Sequence, residues 1–465
     1  MSTPTSRLDQ IPPGRHQMPP GLRVLAEATV DALNTRLGGA DVFLRCFTSA
    51  WGTTMRIQDD ESAFVVTGDI DAMWHRDTRG QVLPYLAAGA DPEVAALLTG
   101  ACRTMTAGVL ADPYANAIND GPTGRHADPH DLPVPGPDIW ERKYEVDSLA
   151  AVLSLAYEVW QATGSTVHLD DKFRAAAVVI VDLWTLEQDH RARSTYRFLR
   201  TAGEFAHDSL PDGGLGSAVA ATGMTWSGFR PSDDRCTFGY LVPANVAAVH
   251  ALACLSALAR AGHVDADLGD RADQLAAEIA AGVLEHGLVD TEDGPVYAYE
   301  VDGLGNRLLI DDANTPSLLG LPLLGWCAPD DATYLRTRDL ILSPANPYHF
   351  TGTAASGVGS PHTPDRHVWP IALVVQALTS TDTREQEEIY RLLLATHAGT
   401  GQMHESFDAD APERFTRSWF AWADSAFAQL AMELAGTAPP APLPPMRPPV
   451  PAAVQAGQIP REEEQ

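Results

Sequence analysis

Apolar residues recur at helical spacing through most of the chain, and this periodicity narrows the fold more than any other feature. From Tyr144 to Trp160, the residues Leu149, Val152, Leu153, Ala156 and Val159 fall on one stripe at the i, i+3, i+4 intervals of an amphipathic helix. The same pattern predicts helices over 21–38, 78–89, 93–110, 170–187, 240–261, 267–286, 367–379, 384–397 and 419–435. Thr383 with Gln386 reads as a capping box, and Gly287 follows the last apolar turn of its helix. Strand-like pieces near 41–48, 63–67, 296–301 and 307–310 are too few and too scattered for a parallel sheet. So many helices, with no repeat of roughly 30–50 residues to mark a solenoid, point to a closed ring of helical hairpins. The expected fold is mainly α, an (α/α)6 barrel with a few short β pieces in its loops.

Composition bounds the partners. The 465 residues carry 61 acidic against 32 basic side chains, a formal charge of −29, which repels nucleic acid and anionic membrane surfaces. Only Lys143 and Lys172 are lysines, so arginine supplies the positive charge. The five cysteines are widely spaced without a C-x-x-C pair, which suggests neither a disulfide framework nor a zinc knuckle. Residues 1–20 are polar and proline-punctuated, and no later run reaches the ~18 uninterrupted apolar residues of a membrane span. The expectation is a cytoplasmic protein with a tail at 1–20, one continuous domain over 21–436 and a Pro-rich, acidic tail over 437–465.

The segments between helices are crowded with carboxylates, arginines and tryptophans, where plain loops need none of them. In the stretch from Thr67 to Asp77, Trp74 can cover the apolar face of a sugar while Arg76 and Asp77 hold hydroxyls; Asp77 can equally be a helix N-cap. The run Trp140–Asp147 alternates in charge at a helix start, and for Lys143 and Glu145 a solvated, salt-bridged helix end is the simpler reading. Asp233 and Asp234 follow Pro231, and Asp311 and Asp312 precede Asn314 and Pro316; both pairs can open helices. The glycine pair at 357 and 359 lacks the Lys-Ser/Thr ending and the preceding strand of a phosphate loop, whereas His362 between two prolines is placed to donate to a ligand. Glu405 follows His404, but Asp408 stands where an H-E-x-x-H zinc helix needs its second histidine. No metal or other cofactor is therefore expected. Glu405, near Trp419 and Trp422, is a general-base candidate.

Taken in order, TGDIDAMWHRD, WERKYEVDSL, SGFRPSDDRCTFGYLVPAN, YAYEVDGLGNRLLIDDANTPSLL, GSPHTPD and HESFDADAPERFTRSWFAWADS resemble the motifs of glycoside hydrolase family 125, the metal-independent exo-α-1,6-mannosidases. The resemblance spans about Phe43 to Leu430 and implies an (α/α)6 barrel acting as an inverting exo-glycosidase on terminal α-linked mannose of an oligosaccharide or glycan. It implies Glu405 as general base and Asp233 as general acid, with Asp234 as the alternative. Trp74, Arg76, Asp77, Asp312, Asn314 and His362 are expected to bind mannose, and Arg230 to orient the acid segment. His75 replaces an expected aliphatic residue and Asp424 an amide common in the family, so His75 is expected at a substrate rim and Asp424 in a buried hydrogen bond.

Inversion needs a protonated acid on the leaving oxygen and a carboxylate activating water on the opposite face, roughly 6.5–9.5 Å apart. Asp233 and Glu405 are 172 residues apart in sequence, so only the fold can bring them together. Alternative readings are another carbohydrate-active enzyme on the same fold, a glucosidase or a phosphorylase, and a glycan-binding protein that has lost turnover.

Overall fold

The computed structural model describes residues 17–58, 60–202, 206–438 and 443–444. Most of the two expected tails lies outside these residues. The described helices are α1 (Pro20–Arg36), α2 (Ala40–Ser49), α3 (His75–Val82), α4 (Pro92–Ala111), α5 (Val146–Thr163), α6 (Asp171–Glu187), the single turns α7 (His190–Arg193) and α8 (Pro211–Gly214), α9 (Val242–Arg260), α10 (Ala266–His286), α11 (Ala332–Ile341), α12 (Pro370–Leu378), α13 (Thr383–Thr396) and α14 (Ala421–Ala435). Local chemistry sets their ends. Asp91 accepts from the amides of Glu93 and Val94 at the start of α4, Pro92 occupies its first turn, and Gly164 closes α5 in the left-handed conformation.

The helices pack as neighbours around a centre. α3 lies between α5 and α14, α5 packs on α9, and α12 packs on α14; outside them α4 backs α5, α10 backs α9, α13 backs α12 and α2 backs α14. Gly80 of α3, Ala150 of α5, Ala247 of α9, Val374 of α12 and Ala426 of α14 face one central cavity of ≈ 250 Å³. α9 is buried nearly all round, and its alanines at 244, 247, 248 and 251 let α5 and α10 approach closely. Among the described residues two helices, α4 and α9, are long and apolar enough to cross a membrane; here 61% and 94% of their apolar windows are buried within the protein.

Short strands tie together the segments that enter the inner helices. Met73–Trp74 pairs with Ala117–Ile118, which also pairs with Ile139–Glu141; Tyr240–Leu241 pairs with Glu300–Val301; His367–Val368 pairs with Ser406–Asp408, which also pairs with Phe415–Thr416. Every described pairing is antiparallel.

Four expectations change. Residues 41–48 form helix α2 rather than a strand, because Val42, Phe43, Cys46 and Phe47 make one helical face buried in the core, and tertiary packing overrides β propensity. Helix α11 went unpredicted. The capping box at Thr383 is displaced by one residue: Asp382 caps α13 through the Arg384 amide, and the Gln386 side chain donates instead to the Ser380 carbonyl at 2.9 Å. No helix opens at Asp233–Asp234 or at Asp311–Asp312. Asp311 instead accepts the amides of Leu318 and Leu319 at 2.9 and 3.1 Å, and burial pushes its carboxyl up to about 8.

Candidate active site

The segments that precede α3, α12 and α14, with the turn carrying Asp233 and the stretch around Asn314, meet at one end of the inner helices. There they enclose a cavity of ≈ 200 Å³. Asp233 and Glu405 both line it, with Trp74, Arg76, Asp77, Asn314 and His362. Trp369, Phe420 and Trp422 supply apolar wall; Phe420 stands edge-on to both tryptophans, with ring centroids 6.3 and 6.2 Å away. The Trp74 indole N–H is buried there without a partner in the protein. Gly68 carries the chain under this wall at φ 137°, where a Cβ would lie 2.3 Å from the Trp419 carbonyl oxygen.

Arg76, in the first turn of α3, is the electrostatic hub. Its guanidinium pairs with Glu145, lies 3.2 Å from Asp147, 3.8 Å from Asp77 and 3.7 Å from Asp233, and is nearly all buried. Asp77 is not an N-cap, since Trp74 holds that position. Burial pushes the Asp77 carboxyl up to about 6 against the pull of Arg76. Lys143 and Glu145 are likewise not a solvated helix end: both are buried, Lys143 donating to Asp208 at 2.9 Å and Glu145 accepting from Ser148 at 2.8 Å. Their alternating charges pair inward across loops, which spacing along one helix could not reveal.

The two adjacent aspartates separate cleanly. Asp233 sits on a left-handed turn (φ 65°) with 24% of its side chain exposed to the cavity. Asp234 is buried behind it and accepts from His362 Nδ1 at 3.0 Å. That contact matters to His362. Burial works to lower its pKa, but the Asp234 hydrogen bond and charge, with Glu405 and Asp233 beyond, raise it to about 9.

Glu405 precedes the strand Ser406–Asp408, and Arg417 Nη1 lies 3.6 Å from its Oε1. His404 turns the other way and stacks on Phe415 at 3.6 Å, nearly parallel. Among the described residues no group of three or more His, Cys, Asp or Glu side chains is arranged to hold a metal ion.

Two residues expected at the site stand behind the lining. Arg230 donates to Glu300 at 2.6 Å, and Asp312 accepts from Ser232 at 3.0 Å and from the Asn314 amide at 3.2 Å. Trp419 does not line the cavity. Nor does His75 reach a substrate rim: it is fully buried with both ring nitrogens unpartnered, packed where a Cβ on Gly108 would lie 2.7 Å away, and burial lowers its pKa to about 4. Asp424 does form a buried hydrogen bond, to the Met403 amide. Sequence reasoning missed Arg417, Trp369 and Phe420, although Arg417 and Phe420 lie inside the quoted HESF stretch. It also missed Asn116, which nothing local distinguishes.

Two carboxylates in an aromatic-walled, polar cavity are what a glycoside hydrolase requires, and comparison with known proteins assigns the class. The model of the metal-independent α-mannosidase family GH125 matches residues 38–432. The Streptococcus pneumoniae metal-independent α-mannosidase, in a non-productive complex with α-1,6-mannobiose, is 42% identical with a TM-score of 0.87, covering 90% of this chain and 98% of that one. The "Meiotically up-regulated gene 157 protein" of Schizosaccharomyces pombe is 38% identical over 441 residues, 88% of this chain and 85% of the relative. A bacterial glucoamylase bound to acarbose is similar in fold alone, at 12% identity and a TM-score of 0.53 over 78% of this chain and 49% of that one.

The chain belongs to family GH125. It is a metal-independent exo-α-mannosidase, which selects among the readings the sequence left open.

Proposed function

We propose that this α-mannosidase removes terminal α-1,6-linked mannose with inversion, Asp233 delivering a proton to the leaving oxygen and Glu405 activating the water. The observation that carries the reading is that these two carboxylates line one small cavity. At ≈ 200 Å³ it lies below the ~300–1,000 Å³ of drug-sized pockets and suits one terminal sugar unit. The linkage is supported by the α-1,6-mannobiose bound to the pneumococcal relative. Asp234 is unsuited to the acid role, being held behind the lining by His362.

In this reading Trp74, Asp77, Asn314 and His362 bind mannose, while Arg76 orients the carboxylates around it. Arg230 and Asp312 shape the cavity from behind. Glu405 takes a proton from water as the water oxygen attacks the anomeric carbon, and Arg417 complements its charge. The scaffold is a single (α/α)6 barrel over 21–436, a reading supported by the neighbour contacts of α3, α5, α9, α12 and α14 around one cavity. The setting proposed is cytoplasmic, in keeping with five unpaired cysteines, and the partner is a mannose-bearing glycan rather than nucleic acid or membrane.

The test is proton NMR of the first sugar released from α-1,6-mannobiose, with a chelator present. Inversion produces β-mannose at an undiminished rate; α-mannose as the first product sinks the mechanism.

A further inference from the structure

We propose that Glu145 holds the proton that Asp233 delivers, the two forming a carboxylic acid–carboxylate pair bridged by Asn116. The proposal rests on Asp233 being the acid. Its basis is a count of hydrogens. Asn116 Nδ2 lies 3.0 Å from Glu141 Oε2, 3.2 Å from Glu145 Oε1 and 2.9 Å from Asp233 Oδ1. An amide nitrogen has two hydrogens, so one of the three carboxylate contacts lacks a donor. Glu141 has its charge matched by Arg200 at 2.7 Å, with Lys143 at 3.8 Å. Glu141, facing two cations, has the least need of a proton, so the hydrogen that the third contact lacks is a proton on Glu145 or Asp233, which hydrogen-bond to each other.

Charge leads to the same point. From α3, Arg76 and Asp77 face the pair; from α5, Asp147; from the segment before it, Glu141 and Lys143; and from the loop before α12, His362. Arg76 alone faces four carboxylates. Ionising all of them out of water is costly, so one keeps its proton. Burial, with the neighbouring Asp233 and Asp147 charges, pushes Glu145 well above the usual carboxylate range despite Arg76. Burial also works to raise Asp233, but Arg76 and the hydrogen bond from Glu145 hold it down to about 2. Glu145 has no exposed side-chain surface, whereas Asp233 reaches the cavity, so the inner carboxyl stores the proton and the outer one presents it.

Asp233 first takes the pair's single proton from Glu145; as the glycosidic bond breaks, its electron pair stays on the leaving oxygen, which takes that same proton from Asp233. The pair is left with two carboxylates beside Arg76. Water contributes its oxygen and one hydrogen to mannose and its other hydrogen to Glu405. Release of that proton to solvent and uptake of one by the pair restore both groups, so atoms and charge balance.

Glu145→Gln keeps the shape and offers Asp233 an N–H without a transferable proton. The expected result is a fall in kcat on α-1,6-mannobiose of ~10²-fold or more, with the alkaline limb of its pH profile moved to lower pH. Hydrolysis of dinitrophenyl α-mannoside, whose leaving group needs no proton, should fall less than ~10-fold. Equal losses on both substrates, or an unchanged pH profile on mannobiose, overturn the proposal. Asp233→Asn separates the two readings: equal loss on both substrates refutes Asp233 as the acid, whatever Glu145 does. An infrared measurement needs no Glu145 variant. Protein carrying isotope-labelled glutamate should show a protonated glutamic acid carbonyl at neutral pH that changes in Asp233→Asn, and absence of that band refutes the stored proton.

Discussion

Asp424, fully buried on α14, accepts the backbone N–H of Met403 at 2.8 Å and so anchors the chain two residues before Glu405. Its other oxygen accepts from Gln402 at 3.0 Å. Helix α14 thereby sets the position of the proposed base through the main chain. Asp424→Leu leaves the buried Met403 amide unpaired, and urea unfolding should show a loss of about 1–3 kcal/mol together with a lower kcat.

The same residue carries a pH signature. Burial raises the Asp424 carboxyl to about 6 from an ordinary 3.8, so the folded protein binds more protons than the unfolded one between those values. Its contribution is therefore favourable at low pH and is lost as pH rises through 6. Asp424→Asn keeps an acceptor for Met403 and removes the ionisation. Its Tm should exceed that of the parent at pH 7–8, and the gap should close near pH 4.

Arg417 and Glu405 lie 3.6 Å apart at the cavity wall, with Asp69 holding the guanidinium from the other side. Arg417→Ala removes the only positive charge the structure sets beside Glu405 within ion-pair distance among the described residues. Misplacement of the base should lower kcat/KM by about 10²-fold. Arg417→Lys should recover part of that, and equal rates for all three proteins would show that Arg417 does not position Glu405.

His362 stays cationic up to about 9 because Asp234 holds it, and 36% of its side chain remains exposed at the cavity. A cationic donor to a sugar hydroxyl is lost as it deprotonates. KM for α-1,6-mannobiose should therefore rise as pH climbs through 9, and in Asp234→Asn the rise should begin closer to the ordinary histidine value of 6.5.

Arg230 tests the distinction between lining and support. It donates to Glu300, whose other oxygen accepts the amides of Thr237 and Phe238 at 2.7 and 2.9 Å. Arg230→Ala leaves that buried carboxylate without its cation, and denaturant unfolding should register a loss of about 3–5 kcal/mol.

Local spacing in the sequence carried the helices α5, α6, α9, α10, α13 and α14, because each buries a continuous stripe whose period is visible in one stretch of chain. It failed at α2, where a short run of Val, Phe and Leu suits either a strand or a buried helix and packing against α14 and α1 selects the helix. The ordered motifs carried the family and both proposed catalytic residues, since the types and spacing of those residues survive as one-dimensional pattern. Whether a charged residue stands in the cavity or behind it did not. Asp233 and Asp234 are equivalent as letters, and a left-handed turn with a histidine brought from 128 residues away separates them. Glu145 reads as a surface charge until α3 and the strand pair around Asn116 bury it beside Arg76. Charge and hydrogen-bond partners come from contacts distant in sequence, and burial in a low-dielectric interior makes those contacts decide which carboxyl keeps a proton.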